Sequence, residues 1–513
     1  MAKISYPYPC PFFRGINEQN ACSSHTICYF QSDSSMMAWQ TIFQRPSHER
    51  NRHRIHLVGI GGTGLAPIAR VLLQMGFRVS GSDREANERT DALQRMGART
   101  FVGHAARHLL DDTPPHRPDL VLISSAVPEE NPEVQQARMW DIPVIKRKEI
   151  LGPLTAGRDV IAVAGTHGKT TTTGLIIHLL TRAGRKPGYI VGSELPGLGF
   201  SDAGDEPLFV IEADEYDHMF LGLTPWHLII TNLDWDHPDL FPTHEHYLDA
   251  FRQLLARTRT DGKIIYYRDD PLLRTWERDG LLTEGLSYGS YLGAYARAED
   301  IDMSPSGTRY RLVTPSGSYP VHLTLAGLHN VLNSMAALLA VTQAGLSWQE
   351  AIPHLTSYRG AARRFEFKGE AAGVIVIDDY AHHPTEVQST LLAARAAYPH
   401  REIWAVYQPH TYSRTRTFLH RFNGIFNPAD HVIITGIYAA REPVDPSITP
   451  ELVAAASHHE RALAISELDA VIDHLARSLR PNSLVIILSA GTATRIGPAL
   501  LKRLRGQPTP LSS

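Results

Sequence analysis

The chain has 513 residues, 43% of them hydrophobic and 20% charged, with a formal net charge of −3. That length exceeds one compact core and implies about three domains, while the near-neutral charge gives no reason to expect nucleic acid or an anionic membrane as a partner. No apolar run in the sequence is long enough to insert in a membrane, and Cys10, Cys22 and Cys28 do not make a disulfide framework.

The segment 1–52 is polar and aperiodic. It reads as a disordered extension or as sequence upstream of the real start, with Met36 or Met37 as alternative initiators. It has no strongly apolar core of signal-peptide type, and its cysteines and His25 are too irregularly spaced for a zinc site. The cysteine-free body fits a reducing compartment.

Arg54 to Val58 reads as a strand, followed by a loop with Gly59, Gly61, Gly62 and Gly64. Leu65, Ile68, Ala69 and Leu72 then mark one face of a helix closed by Gly76. "FRVSGSD" reads as a second strand ending at Asp83, and "DLVLISSAVP" as a later buried one. This alternation predicts a parallel, doubly wound unit over 53–152.

A second unit is expected over 153–357. Asp159 to Ala164 is its first strand, "GTHGKTTTT" the following loop, and Thr170 to Ala183 a helix. "PLFVIEAD", "HLIITNLD" and "GKIIYY" read as further strands, 287–325 as antiparallel structure, and "GLHNVLNSMAALLAVTQAG" as a helix. A third unit, 358–513, opens on "GVIVIDDYAHHPTEV", a strand, loop and helix, and adds the buried strands "EIWAVYQPH", "HVIITGIY" and "SLVIILSAG".

The first glycine loop follows a strand and opens a helix, so its backbone can approach a pyrophosphate at the helix N-terminus. Asp83 is placed to accept from a ribose hydroxyl. The glycines suit a redox dinucleotide and a nucleotide sugar equally. The second loop contains Gly165, Gly168, Lys169 and Thr170; Lys169 would reach outer phosphates and Thr170 a magnesium ion. The usual first glycine of that pattern is replaced by Val163. Acidic clusters after two strands, Glu212 to Asp217 and Asp234 to His237, offer oxygen ligands where strand ends face the loop. In the third unit, Arg363, Arg364, His382, His383, His410 and Arg414 suit an anionic substrate.

"HLVGIGGTG", "GTHGKTTTT", "EADEYD", "TNLDWDH", "LHNVLN", "RRFE", "DDYAHHPTE" and "QPHTYSRT" occur in one order from Arg54 to about Arg441. Together they resemble the Mur ligase family, the ATP-dependent amide-forming enzymes of peptidoglycan precursor synthesis. The resemblance implies an α/β fold of three domains: a Rossmann-like N-terminal domain, a central P-loop ATPase domain with a mostly parallel sheet, and a Rossmann-like C-terminal domain. It implies a cytoplasmic monomer or homodimer acting on UDP-N-acetylmuramate, L-alanine and ATP with Mg2+. By position, Gly59, Gly61, Gly62, Gly64 and Asp83 would hold the UDP-sugar. Gly165, Thr166, His167, Gly168, Lys169, Thr170, Thr171, His329, Asn330, Arg364 and Asp379 would hold ATP. Thr170, Glu212 and His237 would bind the metal, with Glu215 as an alternative to Glu212. Tyr380, His382, His410 and Arg414 would bind the amino acid, with Lys169, His382 and Arg414 catalytic.

Two positions depart from the family pattern. Thr411 follows "QPH" where many relatives have arginine, and "SAGTATRIG" lacks the aspartate of a Gly-Ala-Gly-Asp motif. Three other readings are open to these residues: a recycling ligase that adds a whole peptide, a nicotinamide-dependent oxidoreductase, and a nucleotide-gated binding protein.

Overall fold

A computed structural model describes residues 34–110, 116–282, 284–304 and 306–506. Among these, the strands form three sheets, mostly parallel and interleaved with helices. The first sheet runs in the order Arg99–Val102, Arg78–Asp83, Arg54–Val58, Leu120–Ile123, Val144–Lys146, all parallel. Every residue of Arg54–Val58 is buried, as a central strand covered on both faces requires.

The disordered extension expected over 1–52 is corrected from Ser34 onward. Ser34–Gln44 is α-helix, and Trp39, Ile42 and Phe43 lie in the core. Their i, i+3, i+4 spacing puts them on one helix face. Phe43 packs against Phe77 at 5.0 Å between ring centroids, and the Arg50 guanidinium donates to the Phe43 carbonyl at 3.0 Å. So short an apolar stripe inside a polar segment gives little periodic signal. The three cysteines and His25 lie outside the described residues.

The central sheet has ten strands and is built around Asp159–Ala164, with His227–Ile230 on one side and Leu208–Glu212 on the other. Beyond His227–Ile230 it continues through Lys263–Tyr267 and Leu286–Gly289, then turns antiparallel from Ala296–Ser304 to Gly317–Leu323. Gly188–Leu195 and Gly199–Asp202 complete the other edge. The helices Lys169–Arg182 and Leu328–Gln343 cover one face and share its core. In the third sheet only Glu366–Ala371 is antiparallel; Val374–Asp379, Ser483–Leu488, Glu402–Tyr407, His431–Ile434 and Ala462–Ala464 follow in parallel order. In all three sheets the chemistry-bearing loops leave carboxyl ends of parallel strands. No helix among the described residues is long and apolar enough to cross a membrane.

Trp39→Ala should destabilise the first unit by about 3 kcal/mol, the usual cost of deleting a buried aromatic. The change should appear as a lowered denaturation midpoint, and an unmoved midpoint would show that the N-terminal helix does not hold the fold.

Candidate active site

The second loop springs from the middle strand of the central sheet. Val163, which stands where a glycine is usual, is a fully buried strand residue paired with Glu212. Gly165 and Gly168 both have positive φ, 123° and 83°. A Cβ at Gly165 would lie 2.2 Å from Thr231 Oγ1, and one at Gly168 2.4 Å from Asn333 Oδ1. Both glycines are therefore required by conformation and by space. The loop is pinned from the next strand: Asn232 Oδ1 accepts from the His167 N–H at 3.0 Å, and Thr231 Oγ1 donates to the His167 carbonyl at 2.6 Å.

Lys169 begins the helix and turns back over the loop. Its ammonium donates to the carbonyls of Gly165 (2.7 Å) and Thr166 (3.0 Å) and to both carboxylate oxygens of Glu215 (2.8 and 3.1 Å). Burial would lower the Lys169 pKa, but the surrounding carboxylates, Glu215 first, hold it above its ordinary value. Burial pushes the Glu215 carboxyl up, against the pull of Lys169. Thr170 Oγ1 donates to Glu212 Oε1 at 2.8 Å, and Glu212 Oε2 accepts from the Gly192 N–H at 2.7 Å. A hydroxyl and carboxylates at a helix N-terminus make a hard-oxygen donor set that suits a magnesium-sized cation. His237, the third expected metal ligand, stands on the loop after the strand His227–Ile230. It faces Arg414 Nη2 at 3.3 Å and packs edge-on to Tyr216 at 5.1 Å between centroids.

Beside the loop lies a cavity with about 790 Å³ of empty space, counted out into its open mouth. It brings together His167, Gly168, Thr171, His329, Asn330, Arg364 and Asp379, seven residues expected to share a ligand. The Tyr267, Tyr288, Leu325 and Leu332 side chains add apolar wall, and Asn232, Asn333, Thr385 and Glu386 add polar wall. His329 is pulled down to about 4 by burial and by the Arg364 charge, so it is neutral at pH 7. Asp379 is pushed up to about 6 by burial against the pull of Arg364, and it accepts from the N–H groups of Phe365 and Ala381, each at 2.7 Å.

The third unit closes this region from the far side. Arg364 Nη2 reaches Thr170 Oγ1 at 3.3 Å, and its guanidinium lies 5.1 Å from the centre of the Tyr380 ring. Arg414 donates to Asp236 at 2.8 and 3.2 Å and to His410 Nδ1 at 2.7 Å. Both members of the Arg414–Asp236 pair are buried, at 5% and 6% exposure. His382 sits 5.3 Å from His410 between ring centroids. Burial and the nearby Arg414 charge pull His382 down to about 4; burial, His382 and Arg414 pull His410 down to about 2. Both rings are neutral at pH 7: His382 Nδ1 donates to the Tyr380 carbonyl at 3.0 Å, and His410 Nδ1 accepts from Arg414. Thr411 takes positive φ, 61°, and its hydroxyl caps the helix Tyr412–Thr417 by accepting from the Arg414 N–H. It has no cationic head to replace the arginine common at that position.

The first glycine loop is also built by close approach. A Cβ at Gly61 would lie 2.5 Å from Asn87 Nδ2, and one at Gly64 2.5 Å from Arg147 Nη1. Gly59 has φ 87°, and Gly62 opens the turn that leads into the helix Ala66–Gln74. Asp83, expected to face a ribose, braces the loop, accepting from the N–H groups of Gly61 and Arg84 at 2.8 Å each. Behind it, buried Glu133 accepts from Ser82 Oγ at 2.5 Å and pairs with His108 Nδ1 at 2.7 Å. Burial opposes the Glu133 charge, but hydrogen bonds from His56, Ser82 and His108 hold the carboxyl at about 2. Arg147 approaches Asp214 at 3.9 Å, so it runs from the first loop to the acidic cluster of the second.

The sequence reading assigned no role to Asn232, Asn333, Glu386 or Arg421. The first three stand inside quoted motifs, "TNLDWDH", "LHNVLN" and "DDYAHHPTE", and needed only the fold to bring them together. Arg421 lies beyond any motif, and only its pairing with Asp234 at 2.9 and 3.2 Å reveals it.

Three family models match the chain: Mur ligase family, catalytic domain, over residues 54–159; Mur ligase middle domain over 163–341; and Mur ligase, glutamate ligase domain over 363–491. A UDP-N-acetylmuramate–L-alanine ligase of Thermobifida fusca (strain YX) is 40% identical over 467 residues, covering 88% of this chain and 96% of that protein. One from Roseiflexus sp. (strain RS-1) is 37% identical over 472 residues, covering 88% and 99%. Among solved structures, the UDP-N-acetylmuramate-alanine ligase MurC of Thermotoga maritima superposes with a TM-score of 0.73 at 27% identity, covering 88% of this chain and 98% of that one. A murein peptide ligase of Psychrobacter arcticus shares the fold, with a TM-score of 0.65 at 24% identity, covering 89% and 99%.

Removing one member of a buried ion pair strands the other charge and costs about 3–5 kcal/mol. Asp236→Ala and Arg414→Ala should each lower the denaturation midpoint, and the double variant should lose less than the two losses added. Strict additivity would show that the pair is not coupled.

Proposed function

The chain belongs to the Mur ligase family, and from that premise we infer that it joins L-alanine to the carboxylate of UDP-N-acetylmuramate at the expense of ATP, in peptidoglycan precursor synthesis. One observation carries the reading beyond the family. Two glycine cradles stand at the ends of two parallel sheets, and Arg147 spans from one to the acidic cluster beside the other. A sugar-linked carboxylate held in the first can meet the terminal phosphorus of ATP held in the second.

A carboxylate is a poor electrophile. Attack of its oxygen on the γ-phosphorus releases ADP and makes an acyl phosphate. The alanine amine then attacks the acyl carbon, a proton leaves the nitrogen, and collapse of the tetrahedral intermediate expels phosphate. The protein's work is to align these anions and neutralise charge as it moves.

In the arrangement we propose, Gly59, Gly61, Gly62 and Gly64 let the diphosphate of the UDP-sugar approach the loop backbone closely, while the N–H groups of Gly59, Gly61 and Gly62 hold the turn by donating to Ser82, Asp83 and Gly59. Asp83 keeps that loop in shape. The loop Gly165 to Thr171 cradles the ATP phosphates, and Lys169 exchanges its internal partners for phosphate oxygens. Neutral His329, with Asn330, sits on the nucleoside side of the cavity. Thr170, Glu212 and His237 would hold Mg2+, which supplies charge neutralisation at the phosphates, with Glu215 as the alternative to Glu212. Arg364 and Asp379 bring the third domain onto ATP. Tyr380, His382, His410 and Arg414 form the amino-acid side. We take the domain borders at 152/153, within the helix Arg147–Leu154 that links the first two sheets, and at 357/358. This division supports a closing motion of the third domain over the nucleotide.

Phosphate release should require UDP-N-acetylmuramate, L-alanine and ATP together, measured across a panel of amino acids and a tripeptide. Preference for the tripeptide would move the assignment to a recycling ligase. Lys169→Ala should abolish release, and retained turnover would remove Lys169 from its role. Scattering should show compaction with an ATP analogue and UDP-sugar, and an unchanged radius of gyration would exclude closure.

A further inference from the structure

His167 helps wall the nucleotide cavity, yet both nitrogens of its ring are taken up elsewhere. Nε2 lies 3.1 Å from Asp234 Oδ2, on the loop after His227–Ile230. Nδ1 lies 3.1 Å from Glu386 Oε1, in the first turn of the third unit's helix Pro384–Ala397. A neutral imidazole donates from one nitrogen only, and an ionised carboxylate only accepts. Two carboxylates on opposite nitrogens are both satisfied only by the imidazolium. We propose that His167 is a positioning residue: as a cation clamped between Asp234 and Glu386, it sets the docking of the third domain on the phosphate loop.

The surroundings favour that charge. Arg421 grips both oxygens of Asp234, and Thr385 Oγ1 donates to Asp234 Oδ2 at 2.7 Å. His383 lies 3.6 Å from Asp234 through Nδ1, and its ring centre is 4.8 Å from that of His167. Burial first, then the His167 charge, pull His383 down to about 3, so it stays neutral. His382, also neutral, sits 3.4 Å from Glu386. The remaining nearby cations are engaged: Lys169 by Glu215, Arg414 by Asp236, and Arg364 at Thr170. Burial would lower the His167 pKa, but hydrogen bonds to Asp234 and Glu386 raise it to about 9. A raised histidine pKa stabilises the docked arrangement fully below about 6.5, and that contribution is lost as pH rises through about 9.

The clamp also reaches the amine side of the site. Glu386 Oε2 accepts from the backbone N–H groups of His382 (3.2 Å) and His383 (3.4 Å). One carboxylate thus fixes the turn that carries His382 and grips the loop that carries Lys169. Describing those ends as the amino-acid and phosphate sites rests on the function proposed above; the clamp itself does not.

The test is a titration of the histidine ring signals of the full chain by NMR, with His167 assigned through His167→Gln. The expected midpoint for His167 is about 9, falling toward 7 or below in Glu386→Gln, which keeps the shape and removes one carboxylate. A wild-type midpoint at or below 6.5, or one unmoved by Glu386→Gln, overturns the clamp. Turnover supplies the second readout. The alkaline fall in kcat should move to lower pH in Glu386→Gln, and His167→Gln should lose roughly tenfold or more in kcat, as loss of a charge-assisted hydrogen-bond pair implies. If the titration shifts as expected and the kcat profile does not, the positioning role is overturned. If phosphate release never depends on the UDP-sugar, the proposed reaction fails while the titration still decides the clamp.

Discussion

The anion cradle at the start of the helix Lys169–Arg182 is what the rest of the structure is arranged around. A helix N-terminus carries unpaired N–H groups and partial positive charge, and Lys169 adds a full one. Left bare in a buried site, that charge would be costly. The protein meets the cost internally: two loop carbonyls and the Glu215 carboxylate take the ammonium's hydrogen bonds. These partners keep the lysine folded over the loop, near the place phosphate oxygens would occupy. Lysine suits the position because its ammonium has three donors that can be redistributed, whereas a planar guanidinium would be fixed to one geometry. The buried Glu215 takes the opposite charge, and its raised pKa reflects the same burial seen from the acid side.

The contact between the second and third units follows the same rule. Asp234, Asp236 and Glu386 are countered by His167, Arg421 and Arg414 across it. Such an interface holds less firmly than an apolar one, because each charge gives up water to pair. It is also more selective: a small shift in register leaves several buried charges unpaired at once. That combination suits a domain that must dock in one pose and still let go. Among the described residues the apolar cluster under the helices Lys169–Arg182 and Leu328–Gln343 and those of the third unit are separate, and Trp235 meets Phe418 across the contact at 5.9 Å between ring centroids.

Much of the fold was legible because the buried strands are runs of β-branched and aliphatic residues followed by loops of glycine, acid or histidine. The strands Arg54–Val58 and Asp159–Ala164 were legible to the residue. What escaped has physical reasons. Ser34–Gln44 hides three core residues in a polar context. Gly188–Leu195 carries two glycines and polar residues next to the edge strand, where alternation is weak. Asp83 was legible as a strand-end acid, but only the observed hydrogen bond shows that it faces its own loop. The expected ATP residues His329 and Asp379 do meet in one cavity, together with Asn330 and Arg364 from the chain between them. Glu386 and Arg421 act through pairing partners far away in sequence, which no local pattern encodes.

The two glycine loops differ in a way that suits the different tasks proposed for them. The first opens the helix Ala66–Gln74 with Pro67 in its first turn and has no lysine; its cations, Arg89 and Arg147, approach from other elements. Such a loop can admit a diphosphate close to its backbone, with Arg89 and Arg147 beside it, without pulling on a bridging oxygen. The second places lysine and hydroxyl on one turn of backbone and draws in the Glu212 and Glu215 carboxylates from the neighbouring strand end, so that charge can be neutralised where a phosphorus–oxygen bond breaks. A chain that must hold one pyrophosphate intact and cleave another needs this asymmetry. It follows from which side chains each loop brings to the phosphate, since the strand–glycine–helix frame is the same in both.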